Sequence, residues 1–357
     1  MDGRNRAAEV TKAFAVLAAA LLLALAAVAS LSIGPVSIGP TRAFEVMRAA
    51  ALQGRAGLPA DMLRDAAILF DIRGPRTALG ALVGAAMAMA GAVMQGMFRN
   101  PLADPSLVGV SSGAALAAVT WIVLGEGVAH LLPPALGPLA LPIAAFFGGL
   151  AATGLLARIA TRDGRTEIAV TLLAGVALGA LAAAGTGLLV FMARDDQLRT
   201  FLFWTLGSLG GATWVKVMLA APFIAWLIVA TPFLARGLDA VALGERAAFH
   251  SGVDVERLKK AALLAVAAAT AAAVASAGAI GFVGLAAPHL VRLTIGPAHR
   301  ALLPVSGFVG AALLLFSDVV ARMAAAPAEL PIGVVTAAFG APFFLWLLMR
   351  RRGRLIG

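Results

Sequence analysis

Residues 168–192 read IAVTLLAGVALGALAAAGTGLLVFM, 25 positions without a charged side chain. A bilayer core of about 30 Å takes roughly 20 apolar residues per helical span. No backbone group can stay unpaired there, so a chain that crosses must be helical or part of a closed barrel. The run has none of the polar/apolar alternation of a barrel strand, which leaves a transmembrane helix. Along it Gly175, Gly179, Ala183 and Gly187 recur at every fourth position. Such a stripe lets helix backbones approach closely in lipid. It reads either as dense packing inside the chain or as a subunit interface or smooth pore wall.

The same reading extends in both directions. Apolar runs lie near 13–33, 77–98, 106–124, 138–157, 214–234, 261–280, 283–295, 301–321 and 331–349. With 168–192 they predict ten spans in one all-α polytopic membrane domain over 1–357. Composition agrees: 61% of the 357 residues are hydrophobic and 13% are charged, against about 45–50% and about 25% in soluble domains. The first run follows Arg4, Arg6 and Lys12, and Ala27-Val28-Ala29 resembles a leader cleavage site. Its length favours a retained span over a leader. Residues 34–75, broken by Pro35, Pro40, Gly54, Gly57 and Pro59, predict an extramembrane segment with a short amphipathic helix at 42–52. Gly80 and Gly84 form a GxxxG pair, and Ala88–Val93 faintly echoes Ala275–Ile280, as in transporters with duplicated halves.

The net charge of +10 would suggest nucleic acid on a soluble chain. Here its distribution points elsewhere. Ten spans put both termini on one side with 99–104, 158–167, 235–260 and 292–300. That side holds 18 of the 28 lysines and arginines and 9 of the 18 acids. The surplus on one side is the positive-inside bias, which predicts cytoplasmic termini and no nucleic-acid partner.

Several chemistries are excluded. There is no cysteine, hence no disulfide, thiolate ligand or thiol nucleophile. Four histidines, at 130, 250, 289 and 299, form no HExxH pair, and no GxxxxGK[ST] loop is present to hold ATP. An intramembrane enzyme needs a nucleophile–base or metal pair at helical spacing, and none is found. An ion-coupled secondary transporter needs mid-span carboxylates. Asp318 is the one acid well inside an apolar run, and Arg322 stands one helical turn from it.

Other segments are too polar or too rich in turns for plain spans: RGPR (73–76), QGMFRNPLADP (95–105), LGSL (206–209) after Trp204, GAIGFVGLAAPHLVR (278–292), SDVVAR (317–322) and AELPIGVVTAAFGAPFFLWLL (328–348). In this order and spacing, from about residue 60 to the C-terminus, they resemble the FecCD-type permeases of ABC importers for haem, iron–siderophores and vitamin B12. The resemblance implies a type II importer permease in the bacterial inner membrane, paired as a homodimer. It implies two separate ATPase subunits that bind ATP and Mg, a periplasmic binding protein, and no cofactor of the permease's own. Haem is the expected cargo, with siderophore or cobalamin as alternatives.

The resemblance also carries roles to particular residues. Arg73, Arg76 and Arg322 would receive acidic residues of the binding protein; guanidinium is always charged and grips carboxylates bidentately. RGPR departs from the usual RLPR at its second position. Asn100 and Leu102, in a turn rich in Pro and Asn, would border a cytoplasmic gate completed by Ile168 and Ala169, which are less polar than the hydroxyl residues expected there. Leu243, Gly244 and Glu245, within the connection 235–260, would dock on the ATPase. The pore wall would include Gly175, Gly179, Gly187 and Met192. His289 is expected to hydrogen-bond within a helix break at Gly281, Gly284 and Pro288 rather than to bind metal.

Overall fold

The computed structural model describes residues 2–134 and 136–352. The cationic Arg354 at the C-terminal end lies outside them. The described chain is helical almost throughout. In order come α1 (Asp2–Ser32), α2 (Pro40–Gln53), α3 (Ala60–Ala67), α4 (Gly74–Met97), α5 (Val110–Leu124), α6 (Glu126–Ala129), α7 (Ala140–Ala160), α8 (Ile168–Met192) and α9 (Asp195–Leu206). They are followed by α10 (Trp214–Ala242), α11 (Glu245–His250), α12 (Val255–Ala277), α13 (Val283–Ile295), α14 (His299–Ala324) and α15 (Ile332–Arg352). Seven helical stretches are long and apolar enough to cross a membrane, and α5, α13 and the Ile332–Trp346 part of α15 are shorter apolar helices. Together they coincide with the ten predicted runs.

α4 is the axis of the bundle. It packs against α14, α10, α12 and α13, and almost every residue from Leu79 to Met97 is buried or half-buried. Its sequence is mostly Ala, Gly and Met because neighbours surround it on all sides and leave little room. The GxxxG pair is part of this packing: a Cβ on Gly84 would strike the carbonyl of Gly310 on α14, and Gly80 lies against Leu315 and Leu209. Overpacking costs about 1–3 kcal/mol or more, so Gly84→Leu should lower the thermal unfolding temperature of the detergent-solubilised protein by several degrees. Gly154→Leu on α7, where an added Cβ meets nothing within 4 Å, should leave it near wild type.

Where helices depart from plain spans, the causes are local. A π turn at Ile68–Arg73 joins α3 to α4, and the Trp214 indole donates to the Phe70 carbonyl at 2.8 Å. Residues 278–282 break the chain between α12 and α13, with Phe282 at φ 68°. α13, at about 20 Å, is too short to cross alone. Irregular backbone at such depth survives only when wrapped by protein, and Gly278 sits against the Trp204 carbonyl and Gly207. The break therefore precedes Gly284 and Pro288, which lie inside α13. The Ala88–Val93 echo is not structural: those residues are mid-helix in α4, whereas 275–280 runs off the end of α12.

Four further differences from the sequence reading stand out. The connection expected over 235–260 is only 243–254, because α10 continues to Ala242 and α12 begins at Val255; charges on a helix leaving lipid do not end it. The outer segment holds α3 as well as the expected α2. α9 was not expected, although Asp195 and Asp196 in its first turn complement the helix dipole. Finally, β1 (Thr161–Arg162) and β2 (Arg165–Thr166) form a hairpin. Its Asp163-Gly164 turn has φ of 52° and 77°, the Asp-Gly signature of a tight hairpin.

Candidate functional site

The three arginines expected at one end of the bundle are brought together, and all three are buried. The Arg73 guanidinium donates to the carbonyls of Leu31 (2.7 Å), Ser32 (3.0 Å) and Val36, which tethers the exit of α1. Arg76 is gripped on two edges. Its Nε and Nη2 donate to Asp318 at 2.9–3.1 Å, and its Nη1 and Nη2 to Glu329 at 2.8 and 3.0 Å. Arg322 completes the cluster, with Nε 3.1 Å from Asp318 and Nη2 donating to the Ser30 carbonyl at 3.1 Å. Asp318 thus sits between two guanidiniums, not only the one a turn away. Three cations face two carboxylates. Glu329 is the accessible one, at 39% exposure against 1% for Asp318. Glu329 lay inside a singled-out motif, but its pairing across 253 residues left no local signal.

The opposite end carries the turns. α4 ends at a bend where Arg99 has φ 49°. The Asn100 side-chain oxygen accepts from the Leu102 N–H at 2.9 Å, and Asp104 accepts from the Ser106 N–H at 2.9 Å. Asn100 and Leu102 are exposed. Ile168, the first residue of α8, is half-buried against the core cluster that includes Phe98, and Ala169 is exposed. Phe98, two residues before Asn100, lines one cavity with Ile168 and Thr171 of α8.

At the same end Leu243 is 81% exposed and Phe249 72%. Gly244 has φ 114°, a backbone state that side chains resist. It turns the chain into α11 with both apolar groups on the surface. Glu245 does not project freely: its carboxylate meets the Lys259 ammonium at 2.9 Å. Lys259 also reaches Glu256 at 3.3 Å and the Thr166 carbonyl at 2.9 Å, while Glu256 accepts from the Thr166 N–H at 2.8 Å. One buried lysine thus ties α11 to the hairpin that leads into α8.

α8 is the least embedded of the long helices. Leu173, Val176, Leu181, Leu188, Phe191 and Met192 all stand open. The glycine stripe divides. Gly187 is exposed with nothing near an added Cβ and Gly179 is half-open, but Gly175 is buried and its Cβ would strike the Leu107 carbonyl. Gly175 is therefore an intramolecular packing residue and leaves the pore-wall set, since backbone of the same subunit fills the space before it. His289 is buried in α13 with the Phe343 and Phe344 rings 6.4 and 6.3 Å from its own. With Gln95, Arg99, Arg292 and His299 it lines a cavity of about 360 Å³. Among the described residues, no group of three metal-ligating side chains is placed to hold an ion.

The sequence and the fold both have relatives among known proteins. The FecCD transport family profile matches residues 22–350. The chain is 43% identical to the hemin transport system permease protein HmuU of Yersinia pestis, over 81% of this chain and 85% of that one. It is 44% identical to the cobalamin import system permease protein BtuC of Halobacterium salinarum, over 81% and 75%. A solved metal-chelate type ABC transporter in an inward-facing conformation superposes with a TM-score of 0.78 at 29% identity, covering 94% of this chain and 98% of that one.

Proposed function

We propose, for a chain that belongs to the FecCD transport family and is thus the multi-pass permease subunit of an ABC importer with its ATPase on a separate subunit, that it pairs with a second copy of itself and passes haem inward. The observation that carries the reading is the open face of α8. It is 25 residues long, uncharged, and studded with large apolar groups that its own subunit leaves uncovered. Two such faces across a two-fold axis make a channel wall that offers a bulky, shielded chelate no charge to grip. Affinity then belongs to a periplasmic binding protein and energy to two ATPase subunits holding ATP and Mg. Haem is the cargo put to the test, with ferric siderophore and cobalamin as the alternatives; identities of 43% to a hemin permease and 44% to a cobalamin permease do not separate them. An ion-coupled mechanism finds no support at Asp318, whose side-chain oxygens are taken up by two arginines.

In this reading the outer end is periplasmic, and the connection 243–254 and both termini are cytoplasmic, in a bacterial inner membrane. Arg73, Arg76 and Arg322 are the cationic side of the binding-protein contact. Since Arg76 is already occupied, an incoming carboxylate replaces Glu329, the more accessible of its two partners. Asn100, Leu102, Ile168 and Ala169 border the cytoplasmic gate, and Leu243, Gly244 and Glu245 meet the ATPase. The test is reconstitution with the cognate binding protein and ATPase in proteoliposomes, comparing haem, a ferric siderophore and cobalamin. ATP-dependent haem uptake is expected; preferential uptake of either other chelate overturns the cargo. Single cysteines at the exposed Ser37 and Ser251 should react with an impermeant thiol reagent from opposite sides, and labelling from one side overturns the orientation.

A further inference from the structure

Between α7 and α12, at the end that carries the turns, lies an apolar trough of about 390 Å³. Its walls are Leu150, Gly154 and Ala157 of α7 and Leu263, Leu264 and Ala267 of α12, and Lys260, Thr161 and Thr166 stand at its mouth. Gly154 and Leu264 are exposed, so the trough opens sideways from the subunit rather than onto the apolar face of α8. From Lys260 to Ala267 it extends about 10 Å along the helix axis, within the roughly 15 Å of one leaflet's hydrocarbon. One turn above Leu150, the Phe146 and Phe223 rings meet at 4.6 Å and join α7 to α10.

The mouth is cationic. Besides Lys260, the exposed Arg158 stands one helical turn from the lining Gly154, whereas Arg162 and Arg165, opposite each other in the hairpin, alternate with the lining Thr161 and Thr166 and face away. Among the described residues none of these four side chains is in an ion pair. Nearby acids are fewer: Asp163 and Glu167 are exposed, and Glu256 is spent on Lys259. An apolar trough about 10 Å long with Lys260 and Arg158 at its open end matches one occupant. We propose that the trough holds an acyl chain of an anionic phospholipid, its phosphate set against Lys260 and Arg158. Basic groups at a membrane surface recognise anionic headgroups by charge, while the slot excludes water and selects a lipid tail over a soluble anion. The site abuts Thr166 and Ile168, so a bound lipid braces the segment that leads into α8.

The purified full-length permease is titrated in detergent with phosphatidylglycerol or phosphatidylcholine, and bound lipid is counted by native mass spectrometry. Phosphatidylglycerol is expected to bind at least tenfold more tightly. Arg158→Ala with Lys260→Ala should weaken it roughly 30-fold, at about fivefold per cation, and leave phosphatidylcholine unchanged. Gly154→Leu, which fills the slot, should remove both lipids. Equal binding of the two lipids, retention by Gly154→Leu, or displacement by millimolar inorganic phosphate overturns the proposal. So does loss of the lipid when the cognate ATPase is bound, which would make the trough a protein contact. If Gly154→Leu does not fold, the surface double variant decides.

Discussion

Asp318→Ala should yield little or no folded permease. The carboxylate it removes is 1% exposed and lies between Arg76 and Arg322, 2.9 and 3.1 Å from their nitrogens. Removing one partner of a buried pair costs about 3–5 kcal/mol, because the remaining charge is stranded. Here two guanidiniums are left facing each other, with Glu329 as the one nearby acid. The same change loosens three elements at once, since Arg76 opens α4, Arg322 ends α14 and its Nη2 holds Ser30 of α1. The measurement is the yield of monodisperse protein in detergent and its thermal unfolding. Wild-type values for both would show that the cluster is not structural. Charge reversal at Arg76 is a poor probe of docking for the same reason, since it would gather three carboxylates in one buried place. Glu329→Gln is the cleaner probe. It keeps the shape and should preserve the fold, but it removes the charge that competes for Arg76. Binding-protein association should tighten severalfold, as a charge-assisted hydrogen bond is worth about 1.5–3 kcal/mol. Unchanged affinity would overturn the exchange of carboxylates.

Leu243→Asp should abolish substrate transport and transport-stimulated ATP hydrolysis while leaving the permease folded. Leu243 is 81% exposed, so the substitution meets no protein neighbour in the free subunit. Exposed apolar groups among charges mark contact surfaces, and Leu243 stands just before α11 while Phe249 lies in its last turn. Burying a carboxylate against the ATPase would cost far more than a lost methyl contact. Docking of loaded binding protein should persist, because that face is a bilayer away. The path onward runs through Lys259. Lys259→Met should keep the ATPase bound but lower the ratio of transport to hydrolysis, as α11 would no longer be tied to the hairpin before α8. The checks are co-purification of the ATPase and hydrolysis per substrate molecule moved. Normal values for Leu243→Asp would reduce this loop to a connector.

What the sequence by itself determined was the lipid solvent, the helical class and the places of about ten apolar helices. Those follow from runs such as 168–192, in which the bilayer leaves each segment no alternative to a helix, so no distant residue is needed to read them. The Asn100 turn and the exposed Leu243 and Gly244 were legible for the same reason: their signals lie within a few residues. Tertiary structure alone decided which groups meet. Asp318 was paired in sequence with Arg322, four positions away, but its larger partner is Arg76, 242 positions away, because α4 and α14 cross where Gly84 faces Gly310. The glycine stripe of α8 looked uniform, yet Gly175 packs on Leu107 while Gly187 stays open, since periodicity fixes a helical face but not what covers it. Lys259 carries no local signal in the sequence, and only the approach of α11, α12 and the hairpin makes it a buried three-way tie.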